Sequence, residues 1–250
     1  MTEAYASLGR FGVGVPQSNP TVEAEFGILL PRTASLHVTR LTSVAENPLD
    51  RLRAYLTDLP GYLSAYDGLK LEAFAFACTG SSYLVGAEEE AKIAEACAQH
   101  FGYPIALAAD SIVWALEKLN AKNIAVIAPY PADLIKAGHD YLESRGIHIA
   151  ALERVVTKTT DTRSIYLTGV ADARAALERM PKTGLDAILV SGTGMPTLAA
   201  VDSHGLPPVI SSNLCVAARA LDLAGKKDAL DALGLEPLGW RKRLDEAYGR

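Results

Sequence analysis

The sequence lacks the features that would place a protein in a membrane, on nucleic acid or around a metal. None of its apolar runs reaches the ~18 residues needed to cross a bilayer. Its 24 basic and 29 acidic residues leave a formal charge of −5 and are scattered along the chain. No basic patch offers an electrostatic reason to bind nucleic acid or an anionic membrane. The opening residues, MTEAYASLGR, have neither a basic start nor an apolar stretch. That argues against a secretory signal and for a cytoplasmic protein. Cysteine is scarce: Cys78, Cys97 and Cys215 are an odd set with no CxxC pair, so structural disulfides are not expected. His37, His100, His139, His148 and His204 show no metal-ligand spacing, so no structural zinc is expected.

Familiar catalytic signatures are missing too. Gly12-Val13-Gly14-Val15-Pro16-Gln17 lacks the third glycine of a dinucleotide fingerprint, and residues 192–197 carry no lysine, so they form no P-loop. There is no GxSxG elbow. Asp202-Ser203-His204 contains the three residue types of a triad, but adjacency in sequence does not give triad geometry, and the segment reads as a solvated loop.

What is present is an ordinary globular composition, 49% hydrophobic and 21% charged, which excludes disorder and collagen-like structure. A chain of 250 residues buries roughly 70–75% of its unfolded surface, enough for one large domain or two small ones. Strand-like apolar runs fall at 11–15, 36–39, 73–77, 105–108, 124–128, 148–156, 187–190 and 209–211. Helix-like segments fall at 87–102, 110–119, 132–145, 170–180 and 213–223. In the first of these, acidic residues crowd the start and Gly102 marks the stop, as the helix dipole and the left-handed C-cap favour. Alternating strands and helices predict an α/β fold with mostly parallel sheets flanked by helices. A loose repeat is visible. AFACTGSS at 75–82 echoes AILVSGTGMP at 187–196, and FGVGVPQSN at 11–19 echoes IAVIAPYPA at 124–132. Two similar, pseudo-twofold lobes account for it, with strand carboxyl ends facing one cleft between them.

Cys78 is the leading candidate for chemistry. It follows a strand directly and precedes Thr79, Gly80, Ser81 and Ser82. A turn of small residues there lets successive backbone N–H groups hold a carboxylate or an oxyanion. The same field would favour a thiolate; the competing role is that of a small buried hydrophobe. Cys97, beside Ile93, Ala94 and Ala98, reads as packing. Cys215 follows Ser212-Asn213 in a first helical turn, where a thiol pKa can fall, but packing is the simpler role. In the loop 16–21, Asn19, Thr21 and free helix N–H groups suit a carboxylate, or merely cap a turn. Tyr130, in Ala-Pro-Tyr-Pro, can donate to an anion or pack. Gly192, Thr193 and Gly194 again offer backbone donors with little side chain.

Five motifs in register then resemble one superfamily. They are P-x-S-N-x-T-x-E (Pro16, Ser18, Asn19, Thr21, Glu23), A-C-T-G-S (77–81), A-P-Y (128–130), S-G-T-G-M (191–195) and P-V-I-S-S-N (208–213). Together they resemble the aspartate/glutamate racemase superfamily, in the branch of maleate cis–trans isomerase and arylmalonate decarboxylase. The resemblance implies a two-lobed enzyme with its site between the lobes and no metal or organic cofactor. Residues 1–115 with 213–250 would form the first lobe and 116–212 the second. It implies catalysis by Cys78 and binding of a small carboxylic or dicarboxylic acid by Asn19, Thr79, Gly80, Ser81, Tyr130, Gly192, Thr193 and Gly194. It leaves a homodimer open.

Racemases and isomerases of this kind have a cysteine in each lobe. Cys78 matches the first position, and Gly192 stands at the second. Arylmalonate decarboxylases have one cysteine, at the second position, so the arrangement here is mirrored. Two-base racemisation is disfavoured unless Cys215 or His204 reaches the site. Three readings follow. In the first, a Cys78 thiolate adds to an ene-dicarboxylate such as maleate, and rotation and expulsion give the trans isomer. In the second, a malonate-type acid loses carbon dioxide and Cys78 protonates the carbanion. In the third, the protein binds carboxylates without catalysis.

Overall fold

Eight parallel strands form two four-stranded sheets of identical strand order. The computed structural model describes residues 5–201 and 205–249. The first sheet contains β1 (Gly9–Pro16), β2 (Ala34–Leu41), β3 (Ala73–Phe76) and β4 (Ile105–Leu107), in the order β2-β1-β3-β4. The second contains β5 (Asn123–Ala128), β6 (His148–Arg154), β7 (Ala187–Val190) and β8 (Val209–Ser211), in the order β6-β5-β7-β8. The order repeats element for element, so β1 corresponds to β5 and β3 to β7. Every pairing is parallel. The eight apolar runs in the sequence fall on these eight strands, within two residues at each end.

Helices make the crossovers. They are α1 (Thr21–Leu29), α2 (Pro48–Thr57), α3 (Leu59–Ser64), α4 (Thr79–Val85), α5 (Ala87–Phe101), α6 (Ala108–Lys118), α7 (Ala132–Ser144), α8 (Val170–Glu178), α9 (Leu198–Val201), α10 (Ser212–Leu223) and α11 (Trp240–Tyr248). A short 3-10 turn covers Thr162–Leu167. The inner strands β3 and β7 are buried along their whole length, because helices cover both faces. Helix α10 leaves β8 and packs against α6, β3 and β4, while α11 packs on α1. Arg243 of α11 donates to the carbonyls of Ile28 and Leu29 and so caps the end of α1.

One local expectation is corrected. Residues 79–82, read from the sequence as a turn, form the first turn of α4. Thr, Gly and Ser are weak helix formers and carry no apolar stripe, so neither propensity nor periodicity announces this helix. Burial makes it: Thr79, Gly80, Ser81, Ser82 and Tyr83 are all enclosed, with α4 packed among α2, α6 and α7.

The glycines of β1 serve packing. A Cβ on Gly12 would stand 2.6 Å from Leu71 Cδ1 and 2.8 Å from Phe74 Cδ2, and one on Gly14 would stand 2.9 Å from Phe74 Cζ. The pair makes room for the fully buried Phe74 ring rather than for a phosphate. Gly12→Ala is therefore expected to lower stability by about 1–3 kcal/mol in urea unfolding, through overpacking alone.

Candidate active site

The two inner strands of each sheet end at one place, as ligand-binding crevices in open α/β sheets do. Strand β1 delivers the loop with Asn19, β3 delivers Cys78, β5 delivers Tyr130 and β7 delivers residues 191–197. Buried hydrogen bonds join these loops across the sheets. Thr193 Oγ1 donates to the carbonyl of Ala77 at 2.8 Å, directly before Cys78. Asn19 Nδ2 lies 3.4 Å from Thr193 Oγ1, and Thr21 Oγ1 donates to the Gly194 carbonyl at 2.8 Å. Asn19 Oδ1 also accepts from the N–H groups of Thr21 and Val22. Asn19 is thus both a helix cap and part of the site wall.

A carboxylate missed in the sequence completes this clamp. Glu25 of α1 is buried, and its Oε1 accepts from the N–H groups of Thr197 (2.6 Å) and Leu198 (3.1 Å). Its Oε2 accepts from Asn213 Nδ2 at 2.7 Å, and the same Nδ2 reaches the Thr193 carbonyl at 3.1 Å. Burial pushes the Glu25 pKa up, against these hydrogen bonds, which lower it. In sequence Glu25 is one of two acidic residues in an ordinary helix. Its partners lie more than 170 positions away, so no local signal marks it.

Cys78 occupies the N-cap position of α4 and is 4% exposed. Ser81 Oγ donates to its sulfur at 3.0 Å, and the Ser81 and Gly80 N–H groups also favour the thiolate. Burial outweighs them and raises the thiol pKa. This corrects the expectation that the local field alone favours a thiolate: the donors are in place, but burial withholds the water that a charge needs. Ser81 serves the sulfur and is not on the cavity wall, whereas Thr79 and Gly80 are. Thr79 Oγ1 is buried with no protein hydrogen-bond partner, which leaves it free for a ligand.

The cavity itself measures about 30 Å³, room for a water or two. Cys78, Thr79, Gly80, Asn19, Tyr130, Gly192, Thr193 and Gly194 all border it. Leu52 and Leu134 add an apolar wall, and Thr162, Ile165 and Tyr166 close it from a strap that the sequence did not single out. The Tyr166 ring lies against Gly194, 2.7 Å from where a Cβ would stand. Arg51 of α2, with a 5% exposed side chain, grips the strap through Asp161 at 2.9 Å. Arg163 binds the same carboxylate and, with help from Arg51, holds its pKa at about 2. A depressed carboxylate pKa contributes stability above its unfolded value of about 3.9. The latch therefore persists at neutral pH and loosens only as the pH falls toward 2.

The other candidates lie elsewhere. Ser18 is exposed, and Glu23 pairs with Arg40 at the surface. Cys97 and Cys215 are buried in α5 and α10, do not border this cavity, and have pKa values raised by burial. Asp202, Ser203 and His204 lie outside the described residues. A second cavity of about 530 Å³ borders Cys215, but its polar lining includes Asp231 and Glu236, a poor match for an anion.

Glu25→Ala would strand four buried donors, the N–H and hydroxyl of Thr197, the Leu198 N–H and Asn213 Nδ2, and is expected to cost roughly 2–4 kcal/mol. Glu25→Gln should cost less, because its amide oxygen can still accept from the Thr197 and Leu198 N–H groups. Urea unfolding of the two variants separates charge from shape.

Comparison with known proteins bears on the fold. The chain is 23% identical to a maleate isomerase of Pseudomonas putida over 254 residues, covering 95% of each protein. It superposes on the maleate isomerase of Pseudomonas putida S16, solved with maleate, with a TM-score of 0.78 at 21% identity, covering 90% of this chain and 95% of that one. It also superposes on a cysteine-to-serine variant of Nocardia farcinica maleate cis–trans isomerase that carries a covalently bound succinylcysteine intermediate. There the TM-score is 0.73 at 24% identity, over 86% of this chain and 93% of that one. At these identities the two structures establish a shared fold. The arylmalonate decarboxylase family model matches residues 63–235, more than half of the sequence, and the chain belongs to that family.

Proposed function

We propose that the protein is a cofactor-independent isomerase of a small ene-dicarboxylate, maleate-like in size, working through Cys78. The observation that carries this reading is the placement of the Cys78 sulfur. It sits at the amino end of α4 on the wall of a small cavity between the sheets, with Ser81 and two backbone N–H groups aimed at it. One substrate carboxylate would lie on the Thr79 hydroxyl, which has no hydrogen-bond partner in the protein. The other would meet the Thr193 and Gly194 side of the cavity, the Gly192 N–H being donated to Ser212 Oγ. The reading takes residues 1–115 with 213–250 as one lobe and 116–212 as the other, so that each lobe supplies half of the cradle.

The chemistry follows from the donors. The thiol loses its proton to solvent. The thiolate adds to one alkene carbon, and the π pair moves onto the neighbouring carbon and into its carboxylate. The loop amides stabilise the developing charge. The former double bond rotates, and expulsion of the thiolate re-forms it in the trans geometry. The covalent succinylcysteine in the Nocardia farcinica variant, in which one cysteine is already replaced, supports the sufficiency of a single cysteine for addition.

A second reading, decarboxylation of a malonate-type acid, is favoured by one specific feature. Leu52, Leu134, Ile165 and Tyr166 form an apolar wall facing a cysteine that burial keeps protonated. Such a wall suits a departing carboxylate, and a neutral thiol is ready to act as general acid.

Proton NMR after incubation with maleate and with phenylmalonate separates the readings. Fumarate is the expected product, and Cys78→Ala should slow its formation by about a thousandfold. Carbon dioxide release from phenylmalonate alone would install the second reading, and no turnover of either acid would leave a binding protein. Because the thiolate is the reactive form and burial raises its pKa, kcat/KM should rise with pH. Its limb should lie above the ordinary thiol value of about 8.5.

A further inference from the structure

The isomerase reading leaves the wall across from Cys78 without an obvious acid or base. Cys78 follows β3, and Gly192 follows β7, the equivalent strand of the other sheet; both border the cavity. Position 192 has no side chain, and its φ of +112° disfavours one. Yet the space is filled. An ideal Cβ on Gly192 would stand 3.2 Å from Tyr130 Oη and 3.5 Å from the Pro129 ring. The Tyr130 hydroxyl therefore lies where a side chain at 192 would extend.

This phenol is rigidly held. Tyr130 is 5% exposed and sits between Pro129 and Pro131. Its ring meets Tyr83 edge-on at 6.4 Å and 89°, and Tyr83 is in turn anchored by a 3.1 Å hydrogen bond to Ser191, next to Gly192. The titratable side chains bordering the cavity are Cys78, Tyr130 and Tyr166, and Tyr166 packs its ring against Gly194 from the strap. Burial raises the Tyr130 pKa well above its ordinary value, so the free enzyme holds the hydroxyl protonated.

We infer that Tyr130 is the second acid–base group of the site, its hydroxyl standing in for a side chain at position 192. The inference rests on the isomerase reading. As the Cys78 sulfur bonds to one alkene carbon, the electron pair displaced onto the other carbon takes the Tyr130 proton, leaving a phenolate. After rotation the phenolate removes a proton from that carbon, the pair re-forms the double bond, and the carbon–sulfur bond breaks to return the thiolate. No external oxidant, reductant or cofactor is needed.

The test is steady-state isomerisation of maleate by wild type, Tyr130→Phe and Tyr130→Phe/Gly192→Cys, with iodoacetamide labelling of Cys78 as the folding check. Tyr130→Phe should lower kcat by about a hundredfold or more, with KM within about threefold. The double variant, which puts a thiol into the vacated space, should recover about tenfold of that loss. If Tyr130→Phe keeps kcat within about threefold of wild type, the inference fails while the isomerase reading stands. A loss with KM raised in step and no recovery by Gly192→Cys would make Tyr130 a carboxylate ligand and also overturn it. A wild type that leaves maleate unchanged would remove the functional reading and this inference together.

Discussion

The hydrogen bond from Thr193 to the Ala77 carbonyl ties the two sheets together at the point where their inner strands end. Two parallel sheets meeting end to end bury loop backbone, and each buried N–H and carbonyl must find a partner. Thr193, Asn19, Thr21, Asn213 and Glu25 meet that demand with side chains drawn from α1, α10 and the flanking loops. The result is a junction with few degrees of freedom. Glu25 holds Thr197 and Leu198, Thr21 holds the Gly194 carbonyl, and Ser212 accepts from the Gly192 N–H at 2.9 Å, so the 191–197 loop is fixed from several sides.

The same enclosure sets the chemistry. Cys78 is surrounded by donors that suit a thiolate, yet the cavity is so small that burial wins and the thiol stays protonated. The strap over this cavity is held by Arg51, Asp161 and Arg163. Backbone dipoles and hydroxyls can hold an anion without a basic patch, so a net charge of −5 is compatible with the proposed carboxylate substrate.

Much of this was legible in the sequence, for physical reasons. Parallel strands buried on both faces read as continuous apolar runs, so runs such as 73–77 and 187–190 located β3 and β7. Small residues after those runs marked the loops that line the cavity between the sheets. Helix α4 was hidden because its residues are small and polar and its burial comes from α2, α6 and α7. Glu25, Arg51 and the strap residues Thr162, Ile165 and Tyr166 were hidden because each acquires its role from contacts across the chain. The glycines Gly12 and Gly14 looked like half a nucleotide motif and are instead space for Phe74.

The account stands on Cys78 forming a bond to substrate inside the inter-sheet cavity. Acid quenching during turnover of maleate, followed by intact-mass measurement and peptide mapping, tests that claim most directly. A succinyl adduct confined to Cys78, with Cys97 and Cys215 unmodified, is the expected result. Turnover with an adduct on another residue, or with Cys78 unmodified at every quench time, would contradict it.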